Sequence, residues 1–378
     1  MRIVFLCSSL ESGRDGVGDY TRRLAGELIR KNHQVAIIAL HDQHSQLELE
    51  ESSQIDGILE IKTLRLSCQL SWKNRIRIAS EFVKKNNPDW ISLQYVSFGF
   101  HHKGLPIRLA KYLKTINGNR KLHIMFHELW VGMARESPMK FVIWGWLQKR
   151  LFHSLLITLN PIIIHTQTLL YKISLKGLNV EAELLPLFSN IPVTRFINTP
   201  ATLQEIEEFR KKDINFVVFG TIYPNAPIDR FASESATFAK RYNVQISLTL
   251  IGRCGTERNH WINTWQSAGL LVTQLGEQPA EIISDILARA TVGIGTTASV
   301  LIGKSGSVAA MREHGLPILC VADSWQAKGM NVQEVIPGIT QYFDGSLESY
   351  LTNLHPIAPS NSLTKVANQF IESLSVKH

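Results

Sequence analysis

Short apolar runs alternate with amphipathic helical stretches along the whole chain, and no other feature restricts its fold as strongly. Ile3–Cys7, Gln34–Ala39, Trp90–Gln94, His123–Phe126 and Ile162–His165 have strand length and strand composition. The second half repeats the style with Phe216–Phe219, Ser247–Ile251, Leu271–Leu275, Thr291–Ile294 and Ile318–Val321. Helical stretches such as Asp19–Lys31 and Ala280–Ala288 lie between them. Strands that alternate with helices argue for parallel sheets covered on both faces, an α/β chain. With 378 residues the chain exceeds one ordinary core, so two doubly wound, Rossmann-like domains are expected, facing each other. The joint is read at Pro186–Pro192, running on to Pro200; the domains are then 1–188 and 189–378, with the last helix returning to pack on the first. In such folds ligands bind outside the carboxyl ends of the strands, so function is expected in the loops that follow them.

The net charge of +8 is uneven. Residues 1–190 hold 25 Lys and Arg against 16 Asp and Glu, and residues 191–378 hold 15 against 16. No nucleic-acid motif accompanies the basic half. Mixed Trp and Lys/Arg content at Trp72–Arg75 and Trp144–Arg150 suits peripheral contact with an anionic membrane surface, or an anionic acceptor; a solvated basic face explains the charge equally well. Leu151–Tyr171 has no charged side chain but contains His153, Asn160, Pro161, His165, Thr166 and Gln167. These polar groups speak against a span, and the segment reads as a helix end, an Asn160-Pro161 turn and a strand. Cys7, Cys68, Cys254 and Cys320 form no Cys-x-x-Cys pair, which points to free thiols in a reducing compartment and no zinc site. The apolar run at the start is too short for a signal peptide. A cytoplasmic protein is expected, docked at most peripherally at the inner face of the plasma membrane.

Four loops can carry chemistry. After the first strand come Gly16 and Gly18, then Asp19 and a helix; glycines and a helix start suit a phosphate, although an ordinary turn capped by Asp19 explains them as well. The fourth strand leads into His127-Glu128, where His127 can bind a sugar hydroxyl or phosphate and Glu128 can hold an acceptor hydroxyl. Gly252-Arg253 follows a strand of the second half, and arginine matches a diphosphate geometrically. The stretch from Val292 to Pro317 carries Lys304-Ser305-Gly306-Ser307 before a helix of small residues; capping by Ser305 or Ser307, backbone amides and the Lys304 charge suit a pyrophosphate. Gly303-Lys304-Ser305 is not a P-loop, because the motif's first glycine is Ala298 here.

In these motifs and their order the chain resembles the glycosyltransferase B (GT-B) superfamily, most of all glycosyltransferase family 4 of bacterial polysaccharide clusters, with heterocyst-envelope polysaccharide glycosyltransferases a candidate nearer match. The resemblance spans nearly the whole chain. It rests on Gly16–Ala25 with Asn32–Val35, on His127-Glu128 and Gly252-Arg253, on Leu275-Gly276, and on the ending Ala310–Pro317. It implies a hexosyltransferase using a nucleotide-sugar, UDP-glucose or another UDP-hexose first. Gly16 and Gly18 would face phosphate, His127 the sugar, Arg253 and Lys304–Ser307 the diphosphate, and the backbone around Leu275 the base. The family's paired glutamates fall on Ile302 and Ala310, so both carboxylates are missing and a retaining outcome loses support.

No Asp-x-Asp occurs; neither a metal nor another cofactor is expected, and Arg253, Lys304 and helix amides would meet the leaving-group charge. Inversion needs a base, Asp19 first and Glu128 second. The rivals are a nucleotide-sugar epimerase, which acts without an acceptor, and a non-catalytic nucleotide-sugar-binding partner.

Overall fold

The computed structural model describes residues 1–194, 213–332, 334–355 and 357–376. The chain forms two compact units, one of Met1–Pro186, Ala327–Met330 and Leu363–His378, the other of Leu187–Gln326 and Asn331–Ser362. The expected linker lies outside the described residues from 195 onward.

The first unit runs β1 (Arg2–Cys7), α1 (Gly16–Arg30), β2 (Gln34–Asp42), β3 (Leu49–Asp56), β4 (Leu59–Ser67), α2 (Trp72–Asn86), β5 (Trp90–Tyr95), α3 (Ser97–Phe100), α4 (Leu109–Asn117), β6 (Lys121–Phe126), α5 (Met139–Leu159), β7 (Ile163–Thr166), α6 (Leu169–Lys176) and β8 (Glu183–Leu184). Its sheet order is β3-β4-β2-β1-β5-β6-β7-β8, parallel except for the antiparallel β3–β4 pair. β1 is apolar from Ile3 to Cys7 and β5 is buried along its whole length, as expected of central strands covered by helices on both sides. The order reverses between β1 and β5, so the loops after these strands and after β6 meet at one edge.

The uncharged stretch resolves as a helix end, a turn and a strand. Asn160 adopts a left-handed conformation (φ 45°) that closes α5, Pro161 prevents continuation, and β7 follows. Among the described residues no helix is long and apolar enough to cross a membrane. Trp72 and Arg75 correct the surface reading of that segment. Arg75 is buried; it donates to the Leu40 and Leu70 carbonyls at 3.1 and 2.9 Å and lies 4.0 Å from the Trp72 ring. Trp72 stacks on Tyr112. Burial and the Arg75 charge push the neighbouring His41 down to about 4.

The last helix, Ser362–Val376, which we label α12 below, packs within the first unit. Phe370 is fully buried, stacked 5.9 Å from Phe5 and edge-on to His123. Thr364 donates to Glu27, and Gln369 to the Leu184 carbonyl.

The second unit runs β9 (Asp213–Phe219), α7 (Ile228–Tyr242), β10 (Gln245–Ile251), α8 (Arg258–Ser267), β11 (Leu271–Gly276), α9 (Ala280–Arg289), β12 (Val292–Gly295), a 3-10 segment (Ser299–Lys304), α10 (Gly306–Glu313), β13 (Ile318–Cys320), β14 (Ile339–Gln341) and α11 (Leu347–Thr352). Its sheet order is β11-β10-β9-β12-β13-β14, all parallel. Phe216, Phe231, Trp261 and Trp265 form the centre of the core on one face. On the other face glycines in β12 let α10 approach: a Cβ on Gly293 would lie 2.6 Å from Ile318 Cδ1 and 2.8 Å from Met311 Sδ. All four cysteines are free; Cys7, Cys254 and Cys320 are buried and Cys68 is half-buried.

Candidate functional site

In the second unit the sheet order reverses between β9 and β12, and the loops after these two strands are tied together. Thr296 Oγ1 accepts from the Tyr223 amide at 3.1 Å and donates to the Thr221 carbonyl at 3.2 Å. Gly220 directly follows β9 with φ 83°, and a Cβ there would sit 3.7 Å from Ser307 Cβ. Gly252, at φ 82° after β10, adjoins Gly220: a Cβ on it would lie 3.6 Å from the Gly220 nitrogen. Gly220, Gly252 and Ser307 thus form a floor of backbone in front of the start of α10. Gly220 was not singled out in the sequence, although a glycine directly after an apolar run was the available signal.

Ser305 caps α10, accepting from the Val308 amide at 3.4 Å, and its hydroxyl lies 3.1 Å from that of Ser307. The next amides inward, Gly306 and Ser307, have no acceptor among the described residues. A Cβ on Gly306 would meet nothing within 4 Å. A helix start with open amides carries partial positive charge and suits an anion. Half-buried Lys304 ends the 3-10 segment beside it. Arg253 is at the same sheet edge, its Nε 3.1 Å from Glu277 Oε1. The Leu275 carbonyl accepts from the Gln278 side chain at 2.7 Å. Ile302 and Ala310, where the resemblance would place two carboxylates, are both enclosed in an apolar cluster with Val217, Ile251, Met311 and Ile318.

In the first unit the cap of α1 is Asp15, and this corrects the assignment of that cap to Asp19. Asp15 Oδ1 accepts from the Val17 and Gly18 amides at 2.9 and 3.1 Å, so these donors are already satisfied by a carboxylate. Gly18 serves close packing: a Cβ on it would lie 2.6 Å from the Ser9 carbonyl oxygen. Gly16 faces open space. Asp19 sits in the first turn of α1, accepts from the Gly13 amide at 3.2 Å and pairs with Arg22. Arg22 also reaches the Leu10 carbonyl, Gln54 and Ser12, and so clamps the loop. Burial raises the Asp15 and Asp19 carboxyls above their ordinary range, against the amides that hold Asp15 and against Arg22 beside Asp19.

His127 is buried beneath this loop, with the Tyr20 ring edge-on to it at 4.9 Å. Its Nε2 lies 2.9 Å from Gln94 Oε1, and its Nδ1 lies 3.1 Å from Gln167 Nε2. From Gln94 the chain of hydrogen bonds passes to Ser92, to His123 (2.8 Å), to His165 (3.0 Å) and to Ser373 on α12 (3.3 Å). Three neutral histidines, each protonated on Nε2, satisfy this series with one donor direction throughout. Burial and the two neighbouring histidines hold His123 far below its ordinary pKa, in keeping with the neutral form. Both His127 nitrogens being committed, a sugar hydroxyl would have to displace Gln94 or Gln167 to bond the ring. Neither glutamine was singled out in the sequence. Glu128 follows on the loop, half-buried.

The chain matches no protein-family model and no curated protein. Solved structures do resemble it. Sucrose-phosphate synthase from Thermosynechococcus elongatus is 14% identical, over 99% of this chain and 94% of that one, with a TM-score of 0.61. Anabaena HepE, in complex with UDP and glucose, is 16% identical over the whole of both chains, with a TM-score of 0.59. UDP-GlcNAc 2-epimerase from Neisseria meningitidis, bound to UDP-GlcNAc, is 10% identical over the whole of both, with a TM-score of 0.53. What is shared is the pair of Rossmann-like domains: the chain has the GT-B fold.

Proposed function

We propose that the chain is a metal-independent glycosyltransferase that moves a hexose from a nucleotide-sugar, UDP-glucose first, to a saccharide or lipid-linked saccharide acceptor in polysaccharide biosynthesis. The observation that carries the reading is the start of α10: open Gly306 and Ser307 amides above a floor made by Gly220 and Gly252. A diphosphate placed there accepts from those amides and takes Lys304 as counter-ion, with Arg253 able to exchange Glu277 for a phosphate oxygen. The same groups then stabilise charge on the departing nucleotide. HepE, which shares the fold, binds UDP-glucose, and this supports the choice of donor.

The first unit supplies the acceptor side. Asp15 occupies the amides that a phosphate would use at α1, so this loop suits a neutral hydroxyl better than an anion. Gly16 leaves room for it. Asp19 is the proposed base: burial raises its pKa towards the working range of a proton acceptor, and Arg22 orients it. Glu128 is the second candidate, and the neighbouring His127, tied to Gln94 and Gln167, holds the start of that loop. Asp19→Asn should abolish transfer while leaving UDP binding within about twofold of wild type, read by product formation and calorimetry. Near-normal transfer would remove Asp19 from this role.

A second reading is favoured by the apolar surroundings of Ile302 and Ala310, which leave no carboxylate at either position. It is a non-catalytic nucleotide-sugar-binding partner, distinguished by tight donor binding with no turnover. An epimerase, as in the structural neighbour of that activity, would convert donor without any acceptor.

A further inference from the structure

Helix α5 is apolar on the wrong side. It buries Gly145, Gln148, Phe152, Leu155 and Leu159 against its domain. The opposite row, at spacings of four, three, four and seven residues, is Met139, Ile143, Trp146, Arg150 and Ile157, which share one face of a helix. The four apolar members are 70, 57, 52 and 68% exposed. A surface helix ordinarily turns polar residues outward. Here the outward row extends about 27 Å at the rise of an α-helix.

The cations on this helix are Lys140, Lys149 and Arg150, and it has no Asp or Glu. They sit beside aromatic rings: Arg150 lies 4.5 Å from Trp146, Lys140 lies 5.0 Å from Phe141, and Lys149 lies 4.8 Å from Trp130. The loop tied to α5 by Trp144 and Gln148, which donate to the Lys103 and Gly104 carbonyls, continues into Ile107, which is 76% exposed, and Arg108.

We propose that the outward face of α5 docks on an anionic phospholipid surface, with the helix axis parallel to the membrane plane. Apolar and aromatic side chains then enter the acyl boundary, while the Lys and Arg stems reach back to the phosphates. A second copy of the chain fits this face less well. Two-fold pairing through α5 would bring its cations together with no carboxylate on either helix to receive them. Docking is independent of the transferase reading, because it uses no residue assigned to donor or acceptor.

The test sediments the full chain with vesicles of phosphatidylcholine, with and without phosphatidylglycerol, at low and high salt. Wild type should bind the anionic vesicles roughly a hundredfold more tightly than the neutral ones, from three cations near the surface, and high salt should remove most of that gain. The double variant Ile143→Glu/Trp146→Glu should lose vesicle binding while melting like wild type, since both positions are exposed. Ile58→Glu, at an exposed apolar residue elsewhere in the same domain, should bind like wild type. Three results would each overturn the proposal: wild type that ignores anionic vesicles, a double variant that binds them unchanged, or a wild-type dimer in sedimentation velocity that the double variant breaks.

Discussion

Replacing Gly306 by proline should separate stability from ligand binding. Gly306 is the first residue of α10, and Ser305 before it is extended (φ −82°, ψ 109°), the conformation that a residue preceding proline prefers. At the first helical position the N–H has no partner in the helix, and the proline ring presets a suitable φ. A Cβ there meets nothing within 4 Å. The substitution also restricts the unfolded chain, so it should stabilise by about 0.4–1 kcal/mol, raising the melting point of a domain this size by roughly 1–4 °C. It deletes one of the two amides assigned to the diphosphate. A hydrogen bond to a charged group contributes about 1.5–3 kcal/mol, so the Kd for UDP should rise roughly 10- to 150-fold. Calorimetric titration with UDP and a thermal melt read the two effects, which should have opposite signs. An unchanged Kd in a well-folded variant would refute the assignment of this amide.

Three further outcomes follow from the packing and the charges. Asp15→Asn keeps a side chain that caps equally well but cannot ionise. Because burial raises the folded pKa of Asp15, the wild type holds this proton after the unfolded chain has lost it, so its stability falls as pH rises through and just above the carboxylate range; denaturation against pH should show a shallower fall in the variant, and an identical profile would contradict the burial of this group. Ala310→Glu places a carboxylate inside a closed apolar cluster, and urea denaturation should show a loss of more than about 3 kcal/mol; a wild-type midpoint would mean that the cluster opens to admit the charge. Phe370→Ala removes the ring that α12 inserts against Phe5 and His123, for a loss of about 3–5 kcal/mol, whereas a loss below about 1 kcal/mol would show that α12 is not part of this core.

The buried parallel strands could be read directly from the sequence, because a strand covered on both faces is apolar at nearly every position, as in Ile3–Cys7; Trp90–Gln94 keeps the pattern apart from Ser92 and Gln94, whose side chains are hydrogen-bonded in the interior. The β3–β4 hairpin was not read. Its strands mix Glu, Ser, Gln and Lys with apolar residues at the sheet edge, and only Asp56-Gly57, with Gly57 at φ 64°, signalled the turn. The glycine and serine loops of the second unit were legible because backbone exposure requires small residues. Side-chain roles were less legible, since they depend on partners far apart in sequence. Asp15 and Asp19 are both plausible caps in one dimension, and three-dimensional geometry selects Asp15. Gly18 resembles a ligand glycine but is required by the Ser9 carbonyl. Arg75 resembles a surface cation, yet it is buried and one of its hydrogen bonds runs to the Leu40 carbonyl, thirty-five residues away. Gln94 and Gln167 carry no sequence mark of their tie to His127.

The central claim is most directly tested by a crystal structure of the chain with UDP. The diphosphate should lie at the start of α10, with phosphate oxygens roughly 3 Å from the Gly306 and Ser307 amides. UDP bound with its phosphates elsewhere, and those two amides left to solvent, would contradict it.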